Sequence, residues 1–84
     1  MTFTSGETAS KPLLYPNPAD DKVFISNLPS EGIILIRNSQ GSSFIKKKII
    51  SKHQCIYLTG LKPGLYIVTI RNGNKNFQKK LIIR

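Results

Sequence analysis

Apolar residues in this chain fall into short runs divided by turn residues, and within the runs they alternate every second position instead of recurring every third or fourth. That period predicts strands. Leu13 to Tyr15 makes a first short strand, closed by Pro16-Asn17-Pro18, where two prolines cannot donate to a ladder and hold Tyr15 and Asn17 extended. Asp20-Asp21 turns the chain into Lys22-Val23-Phe24-Ile25-Ser26, with Val23 and Ile25 on one face and Lys22, Phe24 and Ser26 on the other. After the turn Leu28 to Gly32, the run Ile33-Ile34-Leu35-Ile36-Arg37 is apolar on both faces, which predicts a central strand. Asn38-Ser39-Gln40-Gly41 turns the chain again. Ser42 to Ser51 alternates poorly because Lys46-Lys47-Lys48 separates Phe44-Ile45 from Ile49-Ile50, a pattern suited to an edge strand or a bulge. Cys55 to Thr59 is a further strand.

The last third is a hairpin. Gly60-Leu61-Lys62-Pro63-Gly64 opens the β-branched run Leu65 to Arg71, Asn72-Gly73 is the preferred pair for a two-residue turn with both φ angles positive, and a second apolar run reaches Arg84. With Asn72 and Gly73 as turn residues, Arg71 faces Asn74, Val68 faces Phe77 and Tyr66 faces Lys79. Tyr66, Val68, Ile70 and Phe77 then share the core face, and Lys79 sits on it too. Either the Lys79 stem lies over Tyr66 with its ammonium in water, or the register shifts after the turn. The chain thus ends inside its fold. Seven short strands with no helical stripe predict an all-β fold, an immunoglobulin-like antiparallel β-sandwich.

At 84 residues the sequence allows one domain. A chain of this size buries about 60 to 65% of the surface its unfolded form exposes, which leaves no material for a spacious active-site cavity. Residues 1–11, rich in Thr, Ser, Gly and Ala without apolar periodicity, suit a flexible linker, and residues 12–84 form the folded unit. No apolar run approaches the roughly 18 residues needed to cross a bilayer. The first residues lack a charged and an apolar region of signal-peptide type, so an export address is expected upstream.

Charge is unevenly placed. Glu7, Asp20, Asp21 and Glu31 all precede Gly32, after which eleven Lys or Arg and no acid follow, within a total of +9. Such a field suits an anionic partner, whether nucleic acid, lipid, lipopolysaccharide phosphate or acidic protein. It equally suits lysines that guard the edges of a small β-domain against aggregation. A nucleic-acid binder would interleave aromatics with the cations so that bases stack, and the lysines at Lys46 to Lys48 and Lys79 to Lys80 lack that interleaving. A carbohydrate- or protein-binding adhesive module would expose an aromatic platform, whereas the three Tyr and four Phe are mostly absorbed by strands.

His53 and Cys55, one residue apart, would share a strand face as a nucleophile pair or two metal ligands might. No further His or Cys exists to complete a site, so neither catalysis nor metal or cofactor binding is expected, and Cys55 reads as a small core residue.

Four segments carry a resemblance to a known family. They are Tyr15-Pro16-Asn17-Pro18 with Asp21-Lys22-Val23, then Ile36 to Gly41, then Leu58-Thr59-Gly60-Leu61-Lys62-Pro63-Gly64-Leu65-Tyr66, and the basic tail Lys79-Lys80-Leu81-Ile82-Ile83-Arg84. In this order and spacing the chain resembles the C-terminal sorting domain (type A) of the type IX (Por) secretion system of Bacteroidetes. It departs from the family at Asn38-Ser39, where an acidic or aromatic residue is usual, and in the length of the run Lys46 to Lys48.

The resemblance implies a non-catalytic secretion signal. Such a domain directs an N-terminal cargo in the same precursor through the periplasm and an outer-membrane translocon, after which a sortase-like cysteine proteinase usually removes it. Many such cargos end on the cell surface, joined to anionic lipopolysaccharide. By resemblance the sorting-signal residues are Pro16, Asn17, Pro18, Gly41, Gly60, Gly64, Tyr66, Lys79, Lys80, Leu81, Ile82, Ile83 and Arg84. Processing is expected within residues 1–11 or just before them, since a protease needs an extended chain. Structure alone also accounts for two of these residues: Gly64 suits a turn of positive φ, and Tyr66 suits a buried ring with its hydroxyl at the rim.

Overall fold

A computed structural model describes residues 11–84, so the expected linker over residues 1–11 lies, except for Lys11, outside the described residues. Seven strands follow in order: β1 (Leu13–Tyr15), β2 (Lys22–Ser26), β3 (Ile33–Asn38), β4 (Ser43–Lys48), β5 (Gln54–Tyr57), β6 (Gly64–Asn72) and β7 (Lys75–Ile83). Two sheets stack, one ordered β1-β2-β5 and the other β4-β3-β6-β7, with every neighbouring pair antiparallel. This is the expected sandwich of immunoglobulin type, with β3 and β6 central in the larger sheet.

The alternation in the sequence becomes the two faces of each sheet. Val23 and Ile25 of β2, Ile56 of β5, Ile34 and Ile36 of β3, and Val68 and Ile70 of β6 are all buried between the sheets. Leu28, Ile49 and Leu58, which lie between strands, close the core at its margins. Gly32 is required where the chain enters β3. A Cβ there would stand 2.1 Å from the Arg71 carbonyl oxygen, and its φ is +140°. The basic strand β4 is an edge strand, and its pairing with β3 shifts between Ile36 and Arg37, so it is both edge and bulge.

The final hairpin differs from its expected register. Asn72 pairs with Lys75, which makes Gly73 and Asn74 the turn residues, and Tyr66 faces Leu81 instead of Lys79. Gly73 has a φ of +60° whereas neither Asn72 nor Asn74 has a positive φ, the pattern of a type II′ turn. The shift is two residues, so faces are conserved. Lys79 still lies on the core side, opposite Val68, and remains exposed because β7 is an edge strand. The shift brings Leu81 beside Tyr66 and Ile83 beside Gly64, and both tail side chains are buried.

Candidate functional site

The four segments that carry the family resemblance gather at one end of the sandwich. Asn38, the last residue of β3, pairs with Tyr66 of β6, which pairs in turn with Leu81 of β7. Gly64 pairs with Ile83, and Ile83 forms a parallel bridge to Ala19 of the segment after Pro18. Residues far apart in sequence therefore become one surface.

Asn17 fastens the first segment to the last. Its Nδ2 donates to the Lys80 carbonyl and its Oδ1 accepts from the Ile82 N–H, both at 3.0 Å. The backbone continues the seam: the Ala19 N–H donates to the Ile82 carbonyl at 2.7 Å, and the Arg84 N–H donates to the Ala19 carbonyl at 2.8 Å. Pro16 and Pro18 bracket Asn17, and neither can compete for these acceptors because neither has an N–H. Arg84 Nε also meets Asp20 Oδ1 at 3.4 Å, an exposed pair of little energetic weight.

The tail itself is two-sided. Leu81 and Ile83 are buried, while Lys80, Ile82 and Arg84 are exposed, so only the second set is free to meet another molecule. Lys79 is exposed on the other side of the strand, at the edge of the core.

Tyr66 is anchored by geometry familiar from immunoglobulin-like domains, in which a tyrosine at the start of the sixth strand bonds back to the preceding loop. Its hydroxyl donates to the Lys62 carbonyl at 2.6 Å, four residues upstream, and its ring is buried. Gly64, with a φ of +152°, lets the loop reverse so that this bond can close. Gly60, Leu61 and Lys62 share a shallow depression with Asn38, Ser39 and Leu65.

The Asn38 side chain holds the turn after β3. Asn38 Oδ1 accepts from the Gln40 N–H at 3.0 Å and the Ser42 N–H at 2.9 Å. An acidic side chain would accept the same two bonds, so the turn at Asn38 can form without one. Gly41, whose φ is +94°, closes the turn by donating to the Asn38 carbonyl at 3.1 Å.

Other features take places that alternation alone did not reveal. Cys55 is half-buried and pairs with Phe24, whose neighbours Val23 and Ile25 point inward, so Cys55 lies on the outward face and not in the core. Tyr15 and Phe24 stack on that same face with ring centroids 5.6 Å apart, and His53 lies 5.9 Å from the first and 6.0 Å from the second. Tyr15 Oη and His53 Nε2 are hydrogen-bonded at 2.5 Å. Tyr57 is exposed nearby on β5. The aromatics are thus less completely absorbed by the core than the strand pattern suggested. Among the described residues no group of three or more His, Cys, Asp or Glu side chains converges.

The opposite end carries the chain entry. Lys11, Asn27, Lys52, Asn72, Lys75 and Asn76 line an open groove there, and Asn27 Nδ2 donates to the Lys11 carbonyl at 3.3 Å. The nine residues of β6 separate the two ends by roughly 27 Å at about 3.4 Å per residue.

Comparison with known proteins agrees with the geometry. The chain is 38% identical over 73 residues to Beta-agarase A of Zobellia galactanivorans, covering 84% of this chain and 13% of that protein. Its fold superposes with a TM-score of 0.83 and 17% identity on part of PorZ, a surface component of the type IX secretion system of Porphyromonas gingivalis, covering 96% of this chain and 12% of that one. It therefore spans only a small fraction of either relative. The family described as the secretion system C-terminal sorting domain matches residues 13–84, and the chain belongs to that family.

Proposed function

We propose that this domain is the non-catalytic address of a longer precursor, read in the periplasm by the type IX machinery so that an N-terminal cargo crosses the outer membrane. The observation that supports it most is the convergence of the family's segments on one end, joined through Asn17 to the tail. Chain entry at the other end lets a folded cargo hang clear of that surface. Cleavage by a sortase-like proteinase upstream of Pro12, and attachment of the cargo to lipopolysaccharide, belong to the same reading.

The test is a reporter with its own signal peptide, fused before the 84-residue chain and expressed in a type IX host. Removal of Leu81 to Arg84 strands the reporter in the periplasm. Arg84→Ala with Ile82→Ser, which touches only exposed side chains, separates recognition from folding. If all three fusions are exported alike, the tail is not part of the signal.

A second reading is favoured by the outward cluster of Tyr15, Phe24 and His53, over which Lys22 Nζ lies 5.9 Å from the Phe24 ring. An adhesive module would use such a platform to stack on sugar rings. Titration with neutral oligosaccharides, comparing Tyr15→Ala with the parent, decides it: saturable binding lost in the variant supports adhesion.

A further inference from the structure

Strand parity divides the basic half of the chain in a way that composition hides. No acidic residue lies on β3, β4, β6 or β7. On β4, Lys46 pairs with Leu35 and Lys48 with Ile33, whereas Lys47 pairs with buried Ile34. On β7, Lys80 pairs with Ile67, whereas Lys79 pairs with buried Val68. Cross-strand partners share a face. The outward face of the larger sheet therefore collects Arg37, Lys46, Lys48, Arg71 and Lys80, while Lys47 and Lys79 lie on the opposite side at its two edges.

The centre of this face is aliphatic. Ile33, Leu35 and Ile67 are half-buried in the pleat, and Leu65 and Ile82 extend the row, 42% and 47% exposed, toward the end where the tail is fastened. Arg37 is held in place by donating from Nη2 to Thr69 Oγ1 at 3.2 Å, and its buried Nε has no acceptor among the described residues. Among the described residues no ion pair neutralises any of the five cations.

We infer that this face is a docking surface for an acidic protein patch with an apolar centre. An apolar middle ringed by charge is the anatomy of a protein interface. Anionic lipid fits less well, because aliphatics half-buried in the pleat cannot reach the several ångströms past headgroups that insertion requires. Four strands at about 4.8 Å spacing give a face roughly 19 Å wide, the scale of a transient contact. A signal released after each transport event needs such a contact. The inference rests on the sorting reading and names the face and chemistry by which the signal is read.

Two charge-matched double variants test it, each removing one cation from β4 and one from β7: Lys46→Gln with Lys80→Gln on the docking face, and Lys47→Gln with Lys75→Gln on the other, where Lys75 pairs with Asn72 on the parity of buried Ile70. Each is made in the full chain behind an exported reporter, with thermal unfolding as the check that both fold. Loss of two charge pairs at an exposed rim slows export by roughly two- to thirty-fold for the first pair, and the second pair exports like the parent. If both pairs slow export equally, net charge matters and the face does not; if neither does, the face is a solvated surface. Either result overturns the inference while leaving parental export, and so the sorting reading, intact. Failure of the parent to export overturns the sorting reading itself. Co-sedimentation with lipopolysaccharide-containing vesicles covers the remaining source. Binding by the parent that the first pair alone abolishes would assign the face to the envelope and refute a protein partner, and equal, weak sedimentation of all three supports it.

Discussion

Asn17 joins parts of the chain more than sixty residues apart with one side-chain amide, donating to Lys80 and accepting from Ile82. Asn17→Ala removes both bonds and destabilises the domain by about 1 to 3 kcal/mol, at about 0.5 to 1.5 kcal/mol per bond. Faster hydrogen exchange at the Ile82 amide is the accompanying local sign, and unchanged exchange there would show that backbone pairing alone holds the tail. Tyr66→Phe keeps the buried ring and deletes the bond to the Lys62 carbonyl, so urea unfolding should register a loss of roughly 1 kcal/mol. Gly32→Ala is harsher. Its methyl meets the Arg71 carbonyl oxygen, a backbone atom that moves only if β6 does, and a cost of about 1 to 3 kcal/mol or more follows.

At the scale of elements, the end of β7 alternates buried core side chains with the exposed side chains of the proposed signal. Truncation after Lys80 removes buried Leu81 and Ile83, each contributing about 1.5 to 3 kcal/mol, together with exposed Ile82 and Arg84. The truncated domain therefore melts earlier as well as exporting poorly, while Ile82→Ser with Arg84→Ala affects export alone. Thermal unfolding and export measured on both variants separate the two effects. The seven strands were legible because period-two alternation and Gly, Pro and Asn turns are local signals. The hairpin register was not. Asn72-Gly73 is the best local turn, but the ladder that Ala19 and Asn17 make with the tail fixes where Ile82 and Ile83 must lie, and the turn moves to Gly73-Asn74 to accommodate it. The face of Cys55 and the gathering of Tyr15 and His53 at Phe24 were hidden for the same reason, since they depend on β2 pairing with β1 and, across some thirty residues, with β5. The resemblance named the segments expected to carry the signal but could not show that they gather at one end, a fact that exists only once β3, β6 and β7 pair.

The whole molecule is polarised twice. Along its length, chain entry and the segments of the family resemblance occupy opposite ends, and across its thickness one outer face carries five cations and the other an aromatic cluster. A domain that is handed on by a machine while still attached to cargo needs the first property, and a machine that must distinguish one small sandwich from another can use the second. The most direct measurement is localisation of a signal-peptide reporter fused before this chain, in a type IX host and in an isogenic strain lacking the outer-membrane translocon. The account predicts reporter at the surface or in the medium of the first and confined to the periplasm of the second. Periplasmic reporter in the competent host, or equal release from both strains, would contradict it.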